Sequence, residues 1–157
     1  GLFTFVMCYI GINDYKFETA LGLKVLLPGI LCTIMLWANY PMTQIYQHDE
    51  DAKRGDLTIS RLLGIKGTFF FVSATFSIVT VGFVWYLQNF ALKYAWIFLA
   101  GLFPVVACFF YWFFQTYQDE SKADYKRTMW LNFISATCLN LFFIYFFMNR
   151  THVAQTF

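Results

Sequence analysis

The sequence predicts an all-α, polytopic transmembrane helical bundle, and three observations carry that expectation. Of 157 residues, 59% are hydrophobic and 23% aromatic, 21 of them Phe, while only 13% are charged. The apolar residues fall into long unbroken runs, and no run alternates polar with apolar as a barrel strand would. Backbone groups in lipid must be satisfied within their own segment or in a closed barrel, so runs of this kind are helices.

Four full spans are expected in order: about residues 21–46, 65–87, 92–114 and 129–148. Each is long enough to cross a hydrocarbon core of about 30 Å. Ahead of them, Leu2 to Ile12 is equally apolar but too short to span. It begins at Gly1 without Met or a basic leader, and the expectation is the tail of a longer helix in a longer protein, not a signal peptide.

Lys and Arg set an orientation. With the loops 48–64 and 115–128 on one side, that side holds Lys53, Arg54, Arg61, Lys66, Lys122, Lys126 and Arg127; the other holds Lys16, Lys24, Lys93 and Arg150. Seven against four places the loop 47–64 in the cytoplasm, with a bacterial inner membrane as the expected setting. The net charge of +2 gives no argument for nucleic acid, and none is expected as a partner. Cys8, Cys32, Cys108 and Cys138 each lie in apolar surroundings without a Cys or His at metal-ligand spacing, so they read as small packed hydrophobes. Most of the Phe residues are accounted for by lipid contact and core packing.

The chemistry concentrates after the first full span. Asn39, Thr43 and Gln47 recur every four residues, with Tyr40, Gln44 and His48 beside them, and both stripes run into Asp49-Glu50-Asp51-Ala52-Lys53-Arg54-Gly55-Asp56. Polar groups at membrane depth need partners or a cavity, so Asn39 and Thr43 are candidate pocket-lining residues. Pro41 frees a carbonyl and is expected to kink the helix and open space below it. At helical spacing Gln47, Asp51 and Gly55 share one face while Asp49 and Glu50 point elsewhere. Hard oxygen ligands of this kind suit Mg²⁺, which keeps waters and bridges to phosphate. Lys53 and Arg54 supply cations for a diphosphate, and Gly55 would let backbone approach it closely. Asp56 is expected to pair with Arg54 or Lys53 at the surface, and His48 to be held by a carboxylate.

These residues resemble the second aspartate-rich motif of the UbiA-type intramembrane prenyltransferases, roughly D-x-x-x-D-x-x-x-G followed by Thr and a Leu-Gly helix start. Gln47-x-x-x-Asp51-x-x-x-Gly55, Thr58 and Leu63-Gly64 fit that frame. Family members have nine transmembrane helices, with this motif between the sixth and seventh, and three spans come after it here. Two departures stand out: Gln47 occupies the first Asp position, and the family's other motif is absent. Asn13-Asp14 is only a dipeptide, with Lys16 and Phe17 in the next places, so the family pattern puts that motif upstream of Gly1.

The resemblance implies Mg²⁺-dependent transfer of a prenyl group from a polyprenyl diphosphate to an aromatic or other lipophilic acceptor, in contact with membrane lipid. It makes Asp51 the catalytic metal ligand, helped by Gln47 and Asp49, and Lys53 or Arg54 diphosphate contacts. The loop 119–127 looks like the family's charged loop before its last helix; a solvated turn is the preferred account of it. Asn132 and Asn140 are read as helix-packing residues. Two other classes stand beside this reading: a transporter segment with Asn39, Thr43 and Gln47 along a solute path, and a catalytically silent membrane assembly partner.

Overall fold

The computed structural model describes residues 1–13, 18 and 21–150. Asp14, Lys16 and Phe17, which bear on the family's other motif, lie outside the described residues. Among the described residues the regular structure is entirely helical: α1 (Leu2–Asn13), α2 (Leu23–Gln44), a 3₁₀ turn (Ile45–Gln47), α3 (His48–Arg54), α4 (Ile59–Gln118), a second 3₁₀ turn (Glu120–Lys122) and α5 (Tyr125–Arg150). Four stretches are long and apolar enough to cross a membrane: Leu23–Arg54, Ile59–Asn89, Leu92–Gln118 and Tyr125–Asn149. The chain is an integral membrane protein built as an all-α bundle, and the four stretches contain the four expected spans apart from the first two residues of the first.

The residues of α4 are helical over 60 positions, which laid straight would measure about 90 Å. It is not straight. The rings of Phe83 and Phe98 lie 5.5 Å apart, and Phe69 meets Trp112 at 5.0 Å. Those contacts require the chain to double back between Asn89 and Leu92, giving two antiparallel arms.

The arms, α2 and α5 share two apolar clusters. Leu31, Val79, Phe83, Phe98 and Phe142 form one towards the hairpin. Met42, Ile45, Phe69, Trp112 and Leu131 form the other, at the end where the two polar loops emerge. Cys32 packs against the first cluster and Cys108 against the second, whereas Cys8 is exposed. Glycine allows the closest helix contacts: a Cβ at Gly82 would come within 2.6 Å of Leu31 Cδ2, and one at Gly29 within 2.7 Å of Leu2 Cδ1. The short α1 is held on α2 there, with the Leu2 amide donating to Thr33 Oγ1 at 2.7 Å and that hydroxyl donating to the Gly29 carbonyl at 2.8 Å.

Pro28 and Pro41 both lie inside α2. Pro41 is fully buried, between buried Ala38 and Met42. Shortly beyond it, at Ile45, the helix gives way to the 3₁₀ turn. The two cavities described, of about 390 and 350 Å³, are lined by residues of α5 and of the second arm, and neither reaches Pro41. Next to Pro41, Met42 and Ile45 are buried in the cluster with Phe69 and Trp112.

Candidate functional site

Polar side chains are buried at one end of the bundle. Asp51, Ser60, Thr68, Thr116 and Thr128 are the buried polar or charged residues among those described, and all lie beside the loops 48–58 and 119–124. Two buried polar atoms there, Gln44 Oε1 and Thr116 Oγ1, have no hydrogen-bond partner among the described residues.

The centre of this end is α3. Seven residues make barely two turns, and its single buried side chain is Asp51, 8% exposed. Asp49 and Glu50 point to solvent, as their spacing predicted. Gly55 ends the helix at φ 76°. The Asp56 amide donates to the Asp51 carbonyl at 2.9 Å and the Gly55 amide to the Ala52 carbonyl at 3.2 Å, which is the Schellman pattern of a left-handed helix stop.

Asp51 is tied to the start of α4. Thr58 donates its hydroxyl to Asp51 Oδ2 at 3.3 Å and accepts from the Arg61 amide at 3.4 Å, capping that helix. Arg61 Nη1 donates to the Asp51 carbonyl at 3.1 Å and also to the Asp56 carbonyl. Among the described residues Asp51 has no ion-pair partner: the pairs are Arg54 with Glu50, Lys66 with Glu120, and Arg127 with Asp124.

A second tie runs from the start of α3. His48 Nε2 lies 2.7 Å from Ser60 Oγ, and Ser60 Oγ lies 3.2 Å from Thr68 Oγ1. Thr68 donates to the Gly64 carbonyl at 2.8 Å. Each hydroxyl has one proton to give, so with that carbonyl as terminal acceptor Ser60 donates to Thr68 and His48 Nε2–H donates to Ser60. Gly64 itself sits at φ 69° within α4, a left-handed residue at which the chain bends, so that Ser60 folds back against Thr68, whose hydroxyl also lies 3.2 Å from the Ser60 carbonyl.

The local geometry differs in places from what the spacing predicts. Gln47, Asp51 and Gly55 do not share a helical face: Gln47 is in the 3₁₀ turn, with fewer residues per turn, and Gly55 lies beyond the end of α3. Gln47 Nε2 donates to the Tyr46 hydroxyl at 3.0 Å. Gly55 is required by its positive φ, and a Cβ there would meet no protein atom within 4 Å. Thr43 returns its hydroxyl to the Tyr40 carbonyl at 2.8 Å, and Asn39 is half-buried; neither lines a described cavity. Lys53 is exposed, and Arg54 turns to Glu50 at 4.0 Å with both side chains about 70% exposed. Asp56 pairs with neither: it offers its carbonyl to Arg61. His48 meets a hydroxyl and not a carboxylate.

Sequence reasoning missed Arg61 and the His48–Ser60–Thr68 chain. One signal was present. An Arg in the first turn of a helix sits against the helix dipole, and so needs acceptors from elsewhere.

The second loop behaves as a solvated turn, as expected. Asp124 accepts from the Arg127 amide at 2.8 Å and pairs with its guanidinium, capping α5. Asp119 accepts from the Ser121 hydroxyl at 2.7 Å and the Ser121 amide at 3.1 Å, and these bonds hold its carboxyl below the ordinary range. Lys66 of α4 lies 3.9 Å from Glu120 and 4.6 Å over the Tyr117 ring, and Tyr46 meets Tyr125 edge-on at 5.1 Å. In α5, Asn132 is half-buried and Asn140 is exposed, and neither makes a side-chain hydrogen bond to another helix among the bonds described.

Among the described residues, no three His, Cys, Asp or Glu side chains gather to hold a metal ion. Asp51 alone fits as one anionic ligand of Mg²⁺, which commonly takes one or two carboxylates and completes its shell with water and substrate phosphates. Asp49 is directed to solvent. Compared with family models, curated proteins and solved structures, the chain matches none.

Proposed function

We propose that this protein takes part in Mg²⁺-dependent transfer of a prenyl group from a polyprenyl diphosphate to an aromatic or other lipophilic acceptor within the membrane, in the manner of the UbiA-type prenyltransferases. One observation carries the reading. A helix of seven residues has a carboxylate as its only buried side chain, without a counter-ion among the described residues, beside the membrane-spanning arms. Burying an unpaired carboxylate is costly, and a structural helix would bury an apolar residue instead. A cation and its phosphate ligand would complete such a site. The Asp51–Gly55–Thr58 frame is also the part of the chain that resembles the family motif.

In this reading the allylic C–O bond breaks, its electron pair leaves with the diphosphate, and the acceptor supplies a new pair to the allylic carbon and loses a proton. Mg²⁺, when bound, would offset the charge building on the departing diphosphate. Asp51 is its ligand, Gln47 stands where the family has its first Asp, and the aromatic bundle interior excludes water from the allylic carbon. The loop 47–64 faces the cytoplasm of a bacterial inner membrane.

The test is prenyl transfer from radiolabelled polyprenyl diphosphate in membranes carrying the protein, with and without Mg²⁺, across aromatic acceptors. Metal-dependent product with the wild type, and at least about a hundredfold less with Asp51→Ala, is the expected result. Normal turnover by that variant would sink the assignment.

A further inference from the structure

We infer that Arg61 is a positioning residue: through the carbonyls of Asp51 and Asp56 it fixes the end of α3 and so sets where the Asp51 carboxylate stands. The inference rests on the proposed prenyl-transfer reading for what the carboxylate does, but not for how it is held.

The need for such a residue arises from α3 itself. α3 continues α2 through the 3₁₀ turn, but its own seven residues bury no apolar side chain. Packing therefore does not hold it. Its start is anchored by His48 on Ser60 at 2.7 Å, and Ser60 is fully buried and fixed in turn by Thr68 at 3.2 Å. Its end has only the left-handed stop at Gly55 and Arg61. One guanidinium nitrogen meets both the Asp51 and Asp56 carbonyls, which bracket that stop. A cation at the C-terminal end of a helix is also favoured by the helix dipole. Arg61 has no carboxylate within ion-pair distance among the described residues, so its charge is directed at these carbonyls.

Without the guanidinium, the Asp51 carbonyl keeps its bond from the Asp56 amide but loses the link to α4. The last turn of α3 then frays, and Asp51, joined to Thr58 by one bond of 3.3 Å, turns to water. Lys53 and Arg54, both exposed, have no part in this.

The experiment uses the protein in lipid nanodiscs and compares wild type, Arg61→Gln, Arg61→Lys and the double variant Lys53→Gln/Arg54→Gln. Two quantities are read: deuterium exchange over residues 48–58, and kcat against KM for a polyprenyl diphosphate. Arg61→Gln is expected to exchange faster over 48–58 with 69–87 and 92–118 unchanged, and to lose about tenfold in kcat with KM within about twofold. Arg61→Lys, which keeps the charge but not the fork, is expected to recover more than half of that loss on a logarithmic scale, and the double variant to match wild type in exchange. Unchanged exchange in Arg61→Gln would overturn the inference. So would a rise in KM alone, since Arg61 would then be acting on the diphosphate directly. If wild type transfers no prenyl group yet Arg61→Gln still loosens 48–58, the positioning role holds and the prenyl-transfer reading falls.

Discussion

Asp51, a residue 8% exposed, accepts one hydrogen bond, from the Thr58 hydroxyl at 3.3 Å, and has no ion-pair partner among the described residues. Asp51→Asn keeps an acceptor for Thr58 and removes the charge, so the thermal unfolding midpoint in detergent is expected to hold or rise while the proposed prenyl transfer is lost. A lower midpoint would mean that the charge serves the fold. Gly55 offers a different kind of prediction. Its φ of 76° and the open space around it make Gly55→Ala a strain problem without a clash. A loss of about 1 kcal/mol is expected in chemical denaturation, with Gly55→Asn milder. At this scale the sequence revealed that Asp51 differs from Asp49 and Glu50, because spacing alone turns them to different sides of a short helix. It did not reveal Arg61, whose partners are main-chain carbonyls that carry no residue-type signal.

Among the elements, the expected spans and the observed helices agree in number and nearly in extent, since an apolar run of that length has few other ways to satisfy its backbone in lipid. The differences lie at the ends. The second span was expected from residue 65, while helical structure begins at Ile59 and bends at Gly64; the added turns carry Ser60 and Arg61, the two side chains that hold α3. The third and fourth spans likewise gain polar turns, to Gln118 and from Tyr125. Asp124 starts α5 by capping it, so Asp124→Ala is expected to destabilise the protein by about 1 kcal/mol in the same denaturation measurement. An effect near zero would show that the Arg127 pair and the cap contribute nothing to α5. The stripe of Asn39, Thr43 and Gln47 was legible as a period but not as a face, because the 3₁₀ turn at Ile45–Gln47 changes the register.

For the whole molecule, the end that carries both polar loops has Lys66 beside Glu120 at 3.9 Å and Tyr46 edge-on to Tyr125. With Cys8, Cys32, Cys108 and Cys138 replaced by Ala, single cysteines at positions 53 and 122 are expected to react with a membrane-impermeant maleimide from one side, and a cysteine at 93 from the other. Labelling of 53 and 122 from opposite sides would break the bundle topology; labelling of both only from the outer face would reverse the proposed orientation. The sequence by itself determined the membrane class, the helical fold and the segment where charged residues gather, because these depend on composition and local period. The tertiary structure decided which of the charged groups is buried and which contacts hold it. That choice depends on a left-handed stop at Gly55, a bend at Gly64 and a cation ten residues beyond Asp51 reaching back to its carbonyl, and such long-range main-chain contacts leave no pattern in a single sequence.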